Sequence, residues 1–222
     1  MFQKVLIAED VDSINIALNQ ILRELGITHI DHVKYCDDAL FRVKKALADN
    51  EPYDLFISDL SFETDFREVQ IKTGDEAIAR IKALQPNIHV IVYSIEDKKF
   101  RIKALFENNH INAYIHKGRR SIDQLKTAIQ QVFTTTDIYI SPELEYILKD
   151  KKTREIDEVD ILLIKELSNG ISQDEIETQF KAQGITPNSR SAIEKRISKL
   201  KDYFKASNSI HLIAIAKDLG II

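Results

Sequence analysis

Glu9-Asp10, Asp59, Ser94, Tyr114 and Lys117 all stand at or near the ends of short apolar runs, and together they supply three carboxylates, two hydroxyls and an ammonium. In an open parallel sheet, ligands bind beyond the carboxyl ends of the strands, so side chains from those ends converge on one pocket. Three carboxylates at close range repel one another, and the arrangement becomes reasonable when a hard, oxygen-seeking cation such as Mg²⁺ sits among them. Taken singly, each residue has a commoner explanation. An Asp at a strand end usually caps a helix or forms a turn, a Ser there is usually a turn residue, and a Tyr usually packs. The set as a whole points to a site for a divalent metal ion.

The elements that must position these groups can be read from the pattern. Apolar, β-rich runs at Lys4–Glu9, His32–Cys36, Asp54–Leu60, His89–Ser94 and Ala113–Lys117 alternate with runs of helical period. Val90-Ile91-Val92 is apolar throughout, as a strand buried on both faces should be. Between the strands, Ile14, Leu18, Ile21, Leu22 and Leu25 share one helix face that stops at Gly26. Thr73-x-x-Glu76 reads as a capping box, and Ser121-x-x-Gln124 opens the last helix. The expectation is an α/β doubly wound (βα)5 domain over residues 1–133, with right-handed crossovers.

Glu9-Asp10, Asp59, Ser94, Tyr114 and Lys117, in that order at strand ends, resemble the receiver domain of two-component response regulators, a flavodoxin-like fold. The resemblance implies that Asp59 takes a phosphoryl group from a histidine kinase. It also implies Mg²⁺ held by Asp10, Asp59 and the Ser61 carbonyl, with Glu9 acting through water. Ser94 would bond the attached phosphoryl group, Lys117 would offset its charge, and Tyr114 would turn inward as Ser94 moves. Two departures from the family stand out. No proline follows Asp59, and the expected glycine comes only at Gly74, 15 residues on, so the intervening loop is about seven residues longer.

Residues 134–154 read as a linker, from Thr134-Thr135-Thr136 through Ser141-Pro142 to Lys149-Asp150-Lys151-Lys152, with a second domain over 155–222. That second domain reads as all helical: Val159–Asn169 ended by Gly170, Gln173–Ala182 opened by the box Ser172-x-x-Glu175, Arg190–Lys205, and Ile210–Leu219. In the third segment Ile193, Ile197, Leu200 and Phe204 face a core. Arg190, Ser191, Glu194, Lys195, Ser198 and Lys199 are the candidate DNA-contacting residues, flanked by Arg196 and Lys201. Glu166–Ile176, Ile193–Phe204 and Asn208–Leu212 resemble the four-helix helix-turn-helix domain of the NarL/LuxR group, which implies binding to double-stranded DNA, as a homodimer on paired half-sites. About six extra residues precede the third helix, and Glu194 stands where the group commonly has lysine.

Charge supports the division. Net charge is −4 overall, but residues 1–150 carry 19 basic and 24 acidic side chains, leaving 12 basic and 11 acidic beyond them. No apolar run approaches the ~20 residues that span a bilayer, so a cytoplasmic protein without a membrane segment is expected. The single cysteine, Cys36, excludes an internal disulfide, and the six histidines show no metal-ligand spacing. The reading is therefore a phosphorylation-controlled regulator of transcription and not an enzyme. One alternative is a helical module that docks a protein instead of DNA. Another is a phosphatase, disfavoured because Ser61 stands where that class needs a second acid.

Overall fold

The computed structural model describes residues 1–63, 65–149 and 156–222. The chain forms two compact units, one of residues 1–97 and 102–148 and the other of residues 98–101 and 149–222. The first holds a sheet of six parallel strands in the order β2-β1-β3-β4-β5-β6, formed by β1 (Lys4–Ala8), β2 (His29–Val33), β3 (Leu55–Ser58), β4 (His89–Ser94), β5 (Ala113–His116) and β6 (Tyr139–Ile140). The helices between them are α1 (Asp12–Glu24), α2 (Cys36–Ala48), α3 (Gly74–Leu84), α4 (Lys99–Glu107) and α5 (Ser121–Thr134).

The two-residue period of a strand explains why one sheet builds two cores. Leu6, Phe56, Val90, Val92 and Tyr114 point to one face and pack with Ala39, Val43, Ile78, Ile81, Ile102 and Leu105 from α2, α3 and α4. Val5, Ile7, Leu55, Ile57, Ile91 and Ile115 point to the other, against Leu18, Ile21 and Leu22 of α1 and Leu125, Ala128 and Ile129 of α5. Burying both faces leaves the strand ends as the place where polar groups meet solvent.

Several local expectations need correcting. The second strand lies at His29–Val33, three residues earlier than the apolar signal suggests, because β2 is an edge strand with polar, half-exposed positions. Cys36 instead begins α2. Thr73 does occupy the N-cap of α3, but its side chain makes no capping bond. Its backbone pairs with Ser61 in an antiparallel bridge, and Glu76 pairs with Arg80 at 2.6 Å. Ser121 lies within α5 as its first residue, its hydroxyl 2.8 Å from that of Tyr93.

The linker expected at 134–154 is largely structured where it is described. β6 extends the sheet beside β5, a 3-10 turn spans Pro142–Leu144, and α6 (Tyr146–Lys149) follows, with Leu144 and Ile147 buried in the first core. The remainder of that linker, residues 150–154, and the expected start of the second domain at 155 lie outside the described residues.

The second unit contains α7 (Glu158–Ser168), α8 (Gln173–Ala182), α9 (Arg190–Phe204) and α10 (Ser209–Asp218), each within a residue or two of the sequence expectation. Gly170 adopts φ +80° after α7, the left-handed stop that glycine permits. The Ser172–Glu175 box opens α8 with both of its reciprocal bonds formed. Leu163, Ile164, Ile176, Phe180, Ile193, Ile197, Leu200, Leu212 and Ala216 form the core. No helix among the described residues is long and apolar enough to cross a membrane.

Candidate functional site

Three strand ends bring the acidic site together. β1 runs directly into Glu9, which is 1% exposed, and β3 into Asp59, which is 6% exposed. Register puts them side by side, because Ala8 pairs with Ser58 and the Asp59 N–H donates to the Ala8 carbonyl at 3.0 Å. Lys117 follows β5, and its N–H donates to the Ser94 carbonyl at 2.8 Å. Its Nζ donates to Glu9 Oε2 at 2.8 Å and to Asp59 Oδ2 at 2.6 Å, tying carboxylates that lie 108 and 58 positions away in sequence.

Burial governs the electrostatics. It pushes the Glu9 carboxyl above its ordinary value despite the neighbouring ammonium. Burial alone would lower Lys117, but its hydrogen bonds to Asp59 and Glu9 and their charges outweigh it, so the ammonium is held above its ordinary value. Lys117 is therefore a fixed positive charge at neutral pH.

The backbone around Asp59 is unusually constrained. Oδ1 accepts the N–H groups of Leu60 at 2.6 Å and Ser61 at 3.4 Å, which fixes the plane of the carboxylate. The Asp59 carbonyl accepts the Ser58 hydroxyl at 2.7 Å. Gly74 passes so close that a Cβ there would lie 1.8 Å from that carbonyl oxygen. The glycine that the long loop displaces in sequence thus returns to the acceptor in space, and the 3.0 Å bond from the Gly74 N–H to the Leu60 carbonyl closes the loop.

The remaining predicted residues divide into two groups. Asp10 stands next to Glu9, but its Oδ2 accepts the Glu63 N–H at 2.6 Å. Ser94 and Tyr114 are fully buried and joined through Glu96, a residue the sequence reading passed over. The Glu96 N–H donates to Ser94 Oγ at 3.4 Å, and the Tyr114 hydroxyl donates to the Glu96 carbonyl at 2.7 Å. Tyr114, expected to turn inward, already occupies the inward position. Ser61 is exposed beside Asp59. All candidate ligands are oxygens, which suits a hard divalent cation in kind. Among the described residues, no three acidic, His or Cys side chains form a ready-made metal cluster. Glu9 and Asp59 are both bonded to Lys117, and one Asp10 oxygen is bonded to the Glu63 N–H.

The model of the response regulator receiver domain matches residues 5–130. The chain belongs to the response regulator receiver family. No curated protein matches it in sequence. Solved structures of full-length similarity include the RcsB response regulator of Salmonella typhimurium, at 15% identity and TM-score 0.64, covering 97% of this chain and 99% of that one. Another is RcsB from Salmonella enterica serovar Typhimurium bound to promoter rprA with the phosphomimetic BeF3-, at 17% identity and TM-score 0.62, covering 95% and 96%. A third is an RcsB–DNA complex at 16% identity and TM-score 0.61. At these identities the likeness is one of fold, an α/β receiver followed by an all-helical region.

In this receiver protein the exposed face of α9 carries Arg190, Ser191, Glu194, Lys195, Ser198 and Lys199, as the helical period predicts. Its cations are not equivalent. Arg190 pairs with Asp174 and, at 3.2 Å, with Glu194. Arg196, expected beside that face, turns instead to the start of α7, meeting Asp157 at 2.7 and 2.8 Å and Asp160 at 2.6 Å. Arg196 holds the Asp157 carboxyl down to about 2, whereas burial raises Asp160.

Proposed function

We propose that this receiver accepts a phosphoryl group on Asp59 from a histidine kinase and controls a helix-turn-helix module, residues 155–222, that binds double-stranded DNA and regulates transcription. The observation that carries the proposal is Lys117 Nζ bridging Glu9 and Asp59, three residues supplied by separate strand ends. In the transfer, an Asp59 carboxylate oxygen forms a bond to phosphorus as the kinase's phosphorus–nitrogen bond breaks. Such a step needs an aligned nucleophile and neutralised oxygen charge more than covalent assistance. The Leu60 and Ser61 N–H groups and the Gly74 contact align the carboxylate, and the Lys117 ammonium supplies positive charge. Asp10, Asp59, the Ser61 carbonyl and, through water, Glu9 would hold Mg²⁺, which would supply further positive charge to the phosphoryl oxygens. Ser94 would then bond the attached group, and its link through Glu96 to Tyr114 gives the change a path toward the surface. In this role the protein is the acceptor of a phosphoryl group, not a catalyst of turnover.

Acetyl phosphate with Mg²⁺ should add one phosphoryl mass to the wild type and none to Asp59→Ala or Asp59→Asn. Equal labelling of all three removes the assignment.

For the output, α9 offers Lys195 and Lys199 to phosphates and Ser191 and Ser198 to phosphates or bases. Structures of RcsB bound to DNA, one of them with two RcsB dimers on two parallel DNAs, support the same use of this fold here, as a homodimer. Replacing Lys195 or Lys199 by Ala should reduce the salt slope of duplex binding by about 1 per lost phosphate contact. A second reading, a protein-docking module, is favoured by the neutralisation of Arg190 by Asp174 and Glu194. It predicts no salt-dependent duplex binding.

A further inference from the structure

We propose that Arg67 is a positioning residue for the acidic site, clamping the long loop onto α2 so that the Glu63 N–H holds Asp10 in place for a divalent cation. The inference deepens the phosphoryl-acceptor reading and rests on it.

Asp65, Arg67 and Gln70, which lie between Asp59 and Gly74, bond to Tyr35 and to the first residues of α2. Arg67 makes a two-pronged bond to Asp38, Nη1 to Oδ2 at 2.8 Å and Nη2 to Oδ1 at 2.6 Å. The same guanidinium lies 4.2 Å from the centre of the Tyr35 ring, and the Tyr35 hydroxyl donates to Asp65. Further along, the Gln70 N–H donates to Asp37 Oδ2 at 2.9 Å, and Ile71 is buried. On the other side of this clamp the Glu63 N–H reaches Asp10 Oδ2 at 2.6 Å.

Magnitudes decide what the clamp does. The Arg67 and Asp38 side chains are 42% and 39% exposed, so as an isolated ion pair they add little to global stability. Their geometry, a planar fork on a carboxylate with a ring beneath it, selects one loop position instead. That position spends one Asp10 oxygen on a backbone N–H and fixes the orientation of the other. Hydrogen bonds to the outer side of ligating carboxylates orient them, and losing a direct one costs roughly 10–100-fold in metal affinity; Arg67 acts one step further away, so about 10-fold is expected.

The test titrates the full chain with Mg²⁺, following tyrosine fluorescence in a protein without tryptophan, and measures amide exchange at Glu63 without metal. Arg67→Ala should weaken Mg²⁺ binding about 10-fold and speed Glu63 exchange, with an unchanged unfolding midpoint. Arg67→Lys should restore little, lacking the fork and the stacking plane. The exchanged pair Asp38→Arg with Arg67→Asp should recover both readouts. Wild-type Mg²⁺ affinity in Arg67→Ala overturns the positioning role even if exchange speeds up, and unchanged Glu63 exchange overturns the clamp. A wild type that neither binds Mg²⁺ nor takes a phosphoryl group sinks the acceptor reading and this role with it, whereas wild-type binding indifferent to Arg67 sinks only this role.

Discussion

Replacing Lys117 by Met removes the only cation among the described residues that is bonded to the Glu9 and Asp59 carboxylates. The three side chains are 10%, 1% and 8% exposed, so solvent screening gives little relief. Breaking a buried pair by deleting one partner costs about 3–5 kcal/mol. Proton uptake sets a ceiling on that cost. Protonating one carboxyl of ordinary value 4.5 at pH 7 costs roughly 3.4 kcal/mol at 1.36 kcal/mol per pH unit, and at pH 5 only about 0.7 kcal/mol. Lys117→Met should therefore be about 3 kcal/mol less stable than wild type at pH 7, a fall in midpoint of about 6–12 °C for a domain of this size. The sign across pH follows from the two shifts. A raised ammonium contributes stability that is complete below its ordinary value of 10.5 and lost only as pH rises past its folded value, so the contribution of the ammonium itself is constant between pH 5 and 7. Burial already raises the Glu9 carboxyl and the Lys117 ammonium opposes that rise, so in the variant Glu9 is raised further and the penalty shrinks as pH falls through its raised value. Urea denaturation at both pH values measures the gap. A gap that is the same at pH 5 and pH 7, or below about 0.5 kcal/mol at pH 7, would refute the reasoning that Lys117 compensates buried charge.

Gly74→Ala forces a Cβ to within 1.8 Å of the Asp59 carbonyl oxygen and should cost about 1–3 kcal/mol or more while slowing labelling by acetyl phosphate; wild-type rates of labelling would show that the contact does not align the acceptor. Asp157→Asn keeps a capping oxygen but loses the charge paired with Arg196. Because the folded carboxyl lies near 2 against an ordinary 3.8, its contribution is present above about pH 4 and lost as pH falls toward 2. The difference between wild type and variant in acid unfolding should vanish over that window, and a difference persisting below it would argue against the ion pair. Cys36, 2% exposed and pushed up to about 12 by burial, should resist alkylation in the native protein at pH 8 and react at once in denaturant.

The sequence by itself determined the architecture and most of the candidate site. Alternating apolar runs required a covered parallel sheet, because residues such as Val90, Ile91 and Val92 have no polar face to offer water. Acidic and basic residues then had to gather where such strands end, which identified Glu9, Asp59 and Lys117 before any distance was known. The four helices of the second unit were equally legible, since their capping residues and glycine stops act locally. Tertiary structure decided what depends on partners remote in sequence. β2 was misplaced because an edge strand carries polar residues, and β6 was missed because a two-residue strand has no period of its own. Arg196 looked like a surface cation until Asp157 and Asp160 were brought beside it. The long loop after Asp59 looked like an interruption, yet it returns Gly74 to the acceptor and fastens itself to α2 through Arg67. Such contacts join residues whose spacing along the chain carries no trace of their meeting, so only packing could reveal them.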